Sequence, residues 1–139
     1  MRRRLAAAIL GVTLGVACGG SSTPATSPTP APMPSTSVLV ALDETNFEAL
    51  VLAPGRTCLV DFYLPTCPAC QSMLPVVAQL AADFEGRALV GTLDGSQAQA
   101  LVAAYDIRYV PTLVFFKDGQ EVTRSVGVTS YDSLATTLN

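Results

Sequence analysis

The segment CLVDFYL, residues 58–64, is an almost unbroken apolar run that only Asp61 interrupts. A run of this kind is typical of a central strand that is covered on both faces of a sheet. Other strand-like segments alternate with helical segments along the chain, in the order β-α-β-α-β-α-β-β-α. Alternating units predict a parallel sheet, and the turn at Asp118-Gly119 predicts a terminal antiparallel hairpin. The predicted fold class is therefore α/β, with a central mixed sheet flanked by helices on both faces.

The boundaries of these elements follow from apolar periodicity and from turn residues. We predict strands over residues 38–42, 58–64, 88–94, 112–117 and 121–127. We predict helices over residues 43–53, 70–84, 96–106 and 130–138. Asp43 is the predicted N-cap of the first helix, and Leu74 belongs to the predicted apolar face of the second. Pro75 falls inside the second helix and is expected to kink it.

The first 17 residues, MRRRLAAAILGVTLGVA, predict a signal peptide for export, because three arginines precede a short apolar stretch. That stretch is shorter than the ~20 residues that a membrane-spanning helix needs. Residues 14–18 resemble the lipobox of bacterial lipoproteins, in which the cysteine becomes the lipidated N-terminus, although Gly15 stands where leucine is usual. We therefore predict lipidation of Cys18. Cleavage by an ordinary signal peptidase, which would leave a freely secreted protein, is the alternative.

Residues 18–37 are predicted to connect the lipidated Cys18 to the folded domain. Gly19 to Ser37 contains five prolines, nine serines and threonines and no charge, so it is expected to be a semi-extended linker. The predicted location is a bacterial membrane, with the domain facing the periplasm or the cell exterior. If the sorting rule of enterobacterial lipoproteins applies, Gly19 favours the outer membrane.

Residues 38–139 are long enough for one domain with a single core. Without the three arginines of the signal peptide, five basic residues remain against eleven acidic ones, which gives a net charge of −6. An acidic domain of this kind is not expected to bind nucleic acid. The chain also contains no histidine, which restricts the metal sites that it could form.

Cys67 and Cys70 form a CxxC pair between the central strand and the second helix. Structural zinc sites and iron–sulfur clusters need four ligands, and the domain offers only Cys58 beyond the pair. A c-type haem needs CxxCH, whereas Gln71 follows the second cysteine. No metal and no other cofactor is therefore predicted.

Two uses of the pair remain, a structural disulfide and a redox-active one. A CxxC bridge closes such a short loop that it removes little entropy from the unfolded chain. At the start of a helix, the helix dipole and the free N–H groups stabilise a thiolate, which makes Cys67 a nucleophile. Cys70 lies one turn further on, where it can resolve a mixed disulfide. We therefore predict a redox-active Cys67–Cys70 disulfide.

Residues 38–138 resemble the thioredoxin family. The resemblance rests on VDFYLPTCPAC, on the proline within the second helix, on YDIRYVPTLVFFKDGQ and on the SVG of the last strand. It implies the thioredoxin fold and thiol–disulfide oxidoreductase activity. It also implies that Pro111 is a cis-proline facing the active-site pair, so that the backbone of Val110 is free to bind a substrate strand. The residues expected to line a shallow apolar substrate groove are Thr66, Val110, Val126, Gly127 and Val128.

The resemblance also gives a role to the charge in the central strand, because thioredoxins keep a buried aspartate six residues before the first cysteine. Burial would raise the pKa of Asp61 and suit it to exchange protons with Cys70. The alternative is a carboxylate that neighbouring N–H groups satisfy. Cys58, on the other face of the same strand, is expected to be a small buried apolar residue.

Three departures from the family pattern concern the redox potential. Thr66 stands where thioredoxins usually have tryptophan, and Pro68-Ala69 replaces the Gly-Pro of reducing thioredoxins. The lysine expected beside the buried aspartate is replaced by Thr92. Strongly oxidising relatives commonly place a histidine between the cysteines, and its absence here favours a reductase.

We therefore predict a monomeric thiol–disulfide reductase of the bacterial cell envelope. Its expected partners are disulfide-containing envelope proteins, an integral-membrane thiol electron donor and, through Cys18, the lipid membrane. One alternative is a disulfide oxidase or isomerase. The other is a non-catalytic thioredoxin-fold binding lipoprotein that keeps the pair as a permanent disulfide.

Overall fold

The computed structural model describes residues 38–139. Within them the elements are β1 Val40–Leu42, α1 Phe47–Val51, β2 Thr57–Tyr63, α2 Pro68–Asp83, β3 Leu89–Asp94, α3 Gln99–Ala104, β4 Thr112–Lys117, β5 Gln120–Val126 and α4 Tyr131–Leu138. The predicted order of strands and helices is confirmed. The predicted signal peptide, the lipidation site and the linker lie outside the described residues.

The strands form one sheet in the order β1-β3-β2-β4-β5. β1 and β2 both pair with β3 in parallel, whereas β4 is antiparallel to β2 and to β5. The apolar run of β2 thus lies at the centre of the sheet, with a neighbour on each side. The hairpin between β4 and β5 turns at Asp118 and Gly119, whose φ angles of 53° and 78° suit a type I′ turn.

Helices cover both faces of the sheet, so β2 contributes to two separate cores. On one face Leu59 packs with α2 and α4, in a cluster that includes Met73, Val77, Leu80, Leu113 and Leu134. On the other face Cys58, Val60 and Phe62 pack with Phe47 and Phe116 and against the α3 region. The strand alternates between these clusters because successive side chains point to opposite sides. The α/β class and the mixed sheet between helices are confirmed.

Aromatic rings fill the core on the second face. Phe47 meets Phe116 edge to face, with ring centroids 5.8 Å apart. The ring of Tyr105 lies 5.3 Å from that of Phe116 and 6.2 Å from that of Phe62. Aromatic pairs of this kind add roughly 0.5–1.5 kcal/mol each beyond the burial of their area. They hold the loop after α3 against the sheet, and this loop leads into Val110.

Two predictions about the helices are wrong in detail. Asp43 is not the N-cap of α1, because the helix begins only at Phe47, after Asn46. Instead, the carboxylate of Asp43 accepts hydrogen bonds from the N–H groups of Thr45 and Asn46 and orders the loop before the helix. Leu74 is 36% exposed, since the apolar stripe of α2 is narrower than its sequence predicts.

Helix α2 also starts two residues earlier than predicted. Pro68 occupies its first turn and Cys67 is its N-cap. Proline is well suited to this position, because the first N–H groups of a helix have no intrahelical partner. The helix continues through Pro75 as one element to Asp83.

Candidate active site

The first cysteine lies at the junction of the central strand and helix α2. After β2 ends, the N–H of Cys67 donates to the carbonyl of Leu64 at 3.1 Å, which closes the loop. Cys67 has extended backbone angles, φ −90° and ψ 112°, as an N-cap residue requires. Its Sγ accepts a hydrogen bond from the N–H of Cys70 at 3.2 Å. The sulfur therefore takes the place that a serine or aspartate oxygen takes at an ordinary helix start.

The two thiols have opposite environments, and both are free in the structure. Cys67 is half-buried, and its pKa is lowered by hydrogen bonds from the Cys70 thiol, from the Cys70 N–H and from the Ala69 N–H. Cys70 is 1% exposed, and burial together with its bond to Cys67 raises its pKa to about 11. The pair thus favours one thiolate, on the sulfur that solvent and a substrate can reach, and one thiol behind it.

The loop before β4 comes directly up to the nucleophile. The Val110–Pro111 peptide bond is cis, and the carbonyl of Val110 lies 3.9 Å from the Sγ of Cys67. The carbonyl of the buried Pro111 accepts a hydrogen bond from the N–H of Gly127 at 2.8 Å. The loop before β4 therefore approaches Cys67 and is itself bonded to Gly127, and Thr66 is exposed beside the cysteine.

The surface around this junction is apolar and open. Val126 and Val128, on either side of Gly127, are 57% and 65% exposed. Tyr109, which precedes Val110, is 71% exposed, and the sequence reasoning did not single it out. The sequence RYVP places Tyr109 beside Val110 and Pro111, but only the fold shows that the tyrosine ring lies outside the core.

Asp61 is the buried charge of the site. It is 0% exposed, and neither of its carboxylate oxygens has a hydrogen-bond partner among the described residues. The alternative of a carboxylate satisfied by neighbouring N–H groups is therefore wrong. Burial raises its pKa to about 7. When it is ionised, its charge raises the pKa values of both Cys67 and Cys70.

Among residues 38–139, no cation stabilises the charge of Asp61. Its register partners in the sheet are Thr92 of β3 and Leu113 of β4. Thr92 occupies the position that the sequence comparison with thioredoxins assigned to a lysine. The carboxyl therefore titrates without a neighbouring ammonium group, and its pKa reflects desolvation alone.

Cys58 takes no part in this arrangement. Its side chain lies on the other face of β2, is 0% exposed and approaches the carbonyls of Leu50 and Val51 at 3.8 and 3.7 Å. Burial raises the pKa of its thiol. Residues 38–139 contain no group of three or more histidine, cysteine or acidic side chains that could hold a metal ion. In the same residues no helix is long and apolar enough to cross a membrane.

Comparison with known proteins agrees with this geometry. The thioredoxin family model matches residues 38–139. Thioredoxins from Staphylococcus aureus strains Mu50, MW2 and N315 are each 41% identical to the chain over 101 residues, which cover 73% of this chain and 95% of each relative. The chain therefore belongs to the thioredoxin family of thiol–disulfide oxidoreductases.

Proposed function

We propose that the protein is a membrane-tethered thiol–disulfide reductase of the bacterial cell envelope. The observation that carries the reaction is the asymmetry of the pair, in which Cys67 has the lowered pKa and Cys70 the raised one. An accessible thiolate backed by a buried thiol can attack a foreign disulfide and then release it.

The reaction begins when the Cys67 thiolate attacks one sulfur of a substrate disulfide. The substrate's other sulfur leaves as a thiolate, and Cys67 is joined to the substrate in a mixed disulfide. The sulfur of Cys67 then carries no negative charge and no longer accepts a hydrogen bond as a thiolate. Since that charge and that hydrogen bond both raise the pKa of Cys70, that thiol becomes easier to deprotonate at this stage.

In the second step Cys70 loses its proton and attacks the sulfur of Cys67. This forms the Cys67–Cys70 disulfide and breaks the mixed disulfide, so that the second substrate sulfur leaves as a thiolate and two electrons pass from the protein to the substrate. We assign the proton of Cys70 to Asp61, whose pKa of about 7 lets it accept a proton near neutral pH. The carboxyl returns this proton to Cys70 when a thiol donor reduces the pair again.

The charges that act on the nucleophile support the reducing direction. A strongly oxidising pair is one whose reduced form is stabilised, for example by positive charge close to the thiolate. Among the groups that shift the pKa of Cys67, the one full charge outside the pair is Asp61, and it raises that pKa. Pro68 has no N–H to donate. The thiolate is therefore stabilised by hydrogen bonds and by its place at the start of α2, but by no cation among the groups that shift its pKa, and this favours a reducing potential.

The location rests on the sequence. Residues 1–17 have the pattern of a signal peptide, Cys18 stands at a lipobox-like boundary, and the uncharged linker through residue 37 would tether the domain to a membrane. In the envelope the substrates would be disulfide-containing proteins, and an integral-membrane thiol donor would reduce the pair again. Gly19 favours the outer membrane under the enterobacterial rule. Metabolic acyl labelling that persists in Cys18→Ser would contradict the anchor.

The decisive experiment titrates the Cys67/Cys70 pair in glutathione buffers and measures insulin reduction. We expect a potential nearer the value of about −270 mV of thioredoxin than the value of about −120 mV of the strong periplasmic oxidase. We also expect reduction that is lost in Cys67→Ser and retained in Cys58→Ala, the matched control on the other face of the strand. A potential near the oxidase value would establish the oxidase or isomerase alternative. An inactive wild type would establish the binding lipoprotein.

A further inference from the structure

A small apolar pocket opens beside the loop that approaches Cys67. Its volume is about 140 Å³. An apolar protein cavity of about 150 Å³ is large enough to hold one benzene molecule, so this pocket has room for one apolar side chain. Val110 lines the pocket, and the carbonyl of the same residue lies 3.9 Å from the Sγ of Cys67. The pocket therefore begins next to the nucleophile.

Half-buried aliphatic side chains form the walls of this pocket. Leu64, Val102 and Ile107 each line it and are partly exposed, and the buried Phe62 also contributes to the lining. Val102 and Ile107 pack against the core on the second face of the sheet. The N–H of Ile107 donates to the carbonyl of Val102 at 2.9 Å, which fixes these two walls relative to each other. An apolar side chain from outside would cover surface that the fold leaves in water.

Gly95 gives the pocket its room. Its N–H donates to the carbonyl of Tyr63 at 2.9 Å, so the loop after β3 is held against the end of β2. A Cβ on this buried glycine would lie 3.2 Å from a methyl carbon of Val102 and 3.7 Å from one of Leu64. The φ angle of Gly95 is not in the positive range, so the backbone does not itself require glycine here. The missing side chain leaves space between two walls for an outside group.

The charges near the pocket are already engaged. Arg108 is the one charged residue among the described residues that line it, and its Nε lies 3.0 and 3.1 Å from the two carboxylate oxygens of Asp106. Asp94, next to Gly95, accepts a hydrogen bond from the N–H of Ser96 at 2.8 Å. A charged ligand group would lose water in the pocket without gaining a free partner, whereas an apolar group has no such cost.

We propose that this pocket receives an apolar side chain of the substrate and selects disulfides whose cysteine has a leucine-like residue close to it in the sequence. The inference rests on the proposed reductase function, because the substrate must lie along Val110 with its sulfur at Cys67. The sheet order places the pocket on the β3 side of β2 and β4, whereas Gly127 approaches Pro111 from β5. The pocket is therefore separate from the groove predicted around Gly127.

Symmetrical disulfides of short peptides test this selection, because attack on either sulfur gives the same products. The parent peptide has serine at the two positions on each side of its cysteine, and leucine or aspartate replaces one serine at a time. We measure the second-order rate constant for oxidation of the reduced protein. Leucine at one position should raise it about tenfold, the lower end of the range for apolar pockets, because this pocket is open to solvent. Equal rates for all peptides, or a preference for aspartate, would overturn the proposal.

Two variants of the pocket should weaken the preference for leucine. Gly95→Val fills the space between Val102 and Leu64 and should bring the ratio of the leucine and serine rate constants close to one. Tyr109→Ser removes a lining residue that is 71% exposed, so it should lower the ratio without affecting folding. Ala103→Val adds two methyl groups at an exposed position of α3 and is the control, which should keep the tenfold preference. An unchanged ratio in Tyr109→Ser and in folded Gly95→Val would overturn the pocket.

Ile107 gives a direct readout, because it is the only isoleucine of residues 38–139. This domain matches the thioredoxin family model, and the alignment covers 95% of the length of free-standing thioredoxins. In Cys70→Ser the Cys67 thiolate attacks the peptide disulfide, one peptide leaves as a thiolate, and the mixed disulfide with the other is not resolved. The methyl signal of Ile107 should shift when the trapped peptide carries leucine at the preferred position, and much less when it carries serine there.

The trapped complex also separates failure of the pocket from failure of the reaction. A mixed disulfide in which leucine and serine peptides leave the Ile107 signal equally unmoved would overturn the pocket alone. Absence of any mixed disulfide would overturn the reductase proposal and this inference with it. An Ile107 signal that moves with protein concentration when no peptide is present would assign the pocket to a second copy of the chain, and would likewise overturn the proposal.

Discussion

Replacing Asp61 by asparagine removes a charge from the core and keeps the side chain nearly the same size. The carboxyl has a pKa of about 7 in the folded protein, against 3.8 for an unperturbed group. This difference of about three pKa units corresponds to roughly 4 kcal/mol, at about 1.4 kcal/mol for each unit. The amide of the variant does not titrate, so the variant should be more stable than the wild type by this amount wherever the wild-type carboxyl is ionised.

The sign of the effect depends on pH. Below pH 3.8 the carboxyl is protonated in the folded and the unfolded chain, so its ionisation costs nothing. As the pH rises from 3.8 to about 7, the unfolded chain ionises first and the wild type loses stability. Above that range the carboxyl is ionised in both the folded and the unfolded wild type, and the whole penalty of about 4 kcal/mol is present. The advantage of Asp61→Asn should therefore be close to zero near pH 3.5 and complete by about pH 8.

Urea unfolding of the reduced proteins, at several pH values between these limits, measures the difference directly. Glu85→Gln is the matched control, since it makes the same chemical change at an exposed side chain that forms no hydrogen bond with the described residues. The control should change the free energy of unfolding by less than about 0.5 kcal/mol at any pH. If the difference in the free energy of unfolding between Asp61→Asn and the wild type did not change with pH, the raised pKa of a desolvated carboxyl would be refuted.

Three further outcomes follow from the structure. Iodoacetamide should modify Cys67 far faster than Cys70 near neutral pH, as peptide mass spectrometry of the reduced protein can measure; equal rates would contradict the two thiol environments. Gly91→Ala should lower the free energy of unfolding by about 1–3 kcal/mol, because its Cβ would lie 2.6 Å from Leu42 Cδ1 and 3.0 Å from a backbone oxygen. Phe47→Ala should cost about 3–5 kcal/mol in the same urea assay, because its ring is 1% exposed between two aromatic partners.

The sequence predicts the fold well because each element carries its own local signal. The apolar run of β2 needs cover on both faces, and two separate cores supply it. The Asp118-Gly119 turn requires positive φ at both positions, which fixes the β4–β5 hairpin. The predictions for Asp43 and Leu74 are wrong because capping residues and apolar spacing are each compatible with more than one helix boundary. Only the tertiary packing selects between these boundaries.

The site is less visible in the sequence, because its parts come from distant segments. The CxxC pair is local, but the carbonyl of Val110 reaches Cys67 across 43 residues of chain. Tyr109 is an ordinary surface residue in the sequence, and only the fold places it beside the loop that approaches Cys67. That both oxygens of Asp61 lack hydrogen-bond partners within the described part of the chain is likewise a property of the packed interior.

Asp61 is a charged residue in an otherwise apolar central strand, and the stability that its burial costs is related to its role. A leucine or valine in its place would pack against the cluster of α2 and α4 without a desolvation penalty. The same desolvation that lowers stability brings the pKa of the carboxyl to about 7. A carboxyl at its ordinary value of 3.8 would be a poor acceptor for the proton of a thiol. If Asp61 takes the Cys70 proton as we propose, the lost stability and the proton transfer have one physical cause. Asp61→Asn should then stabilise the fold and slow the resolution of the mixed disulfide.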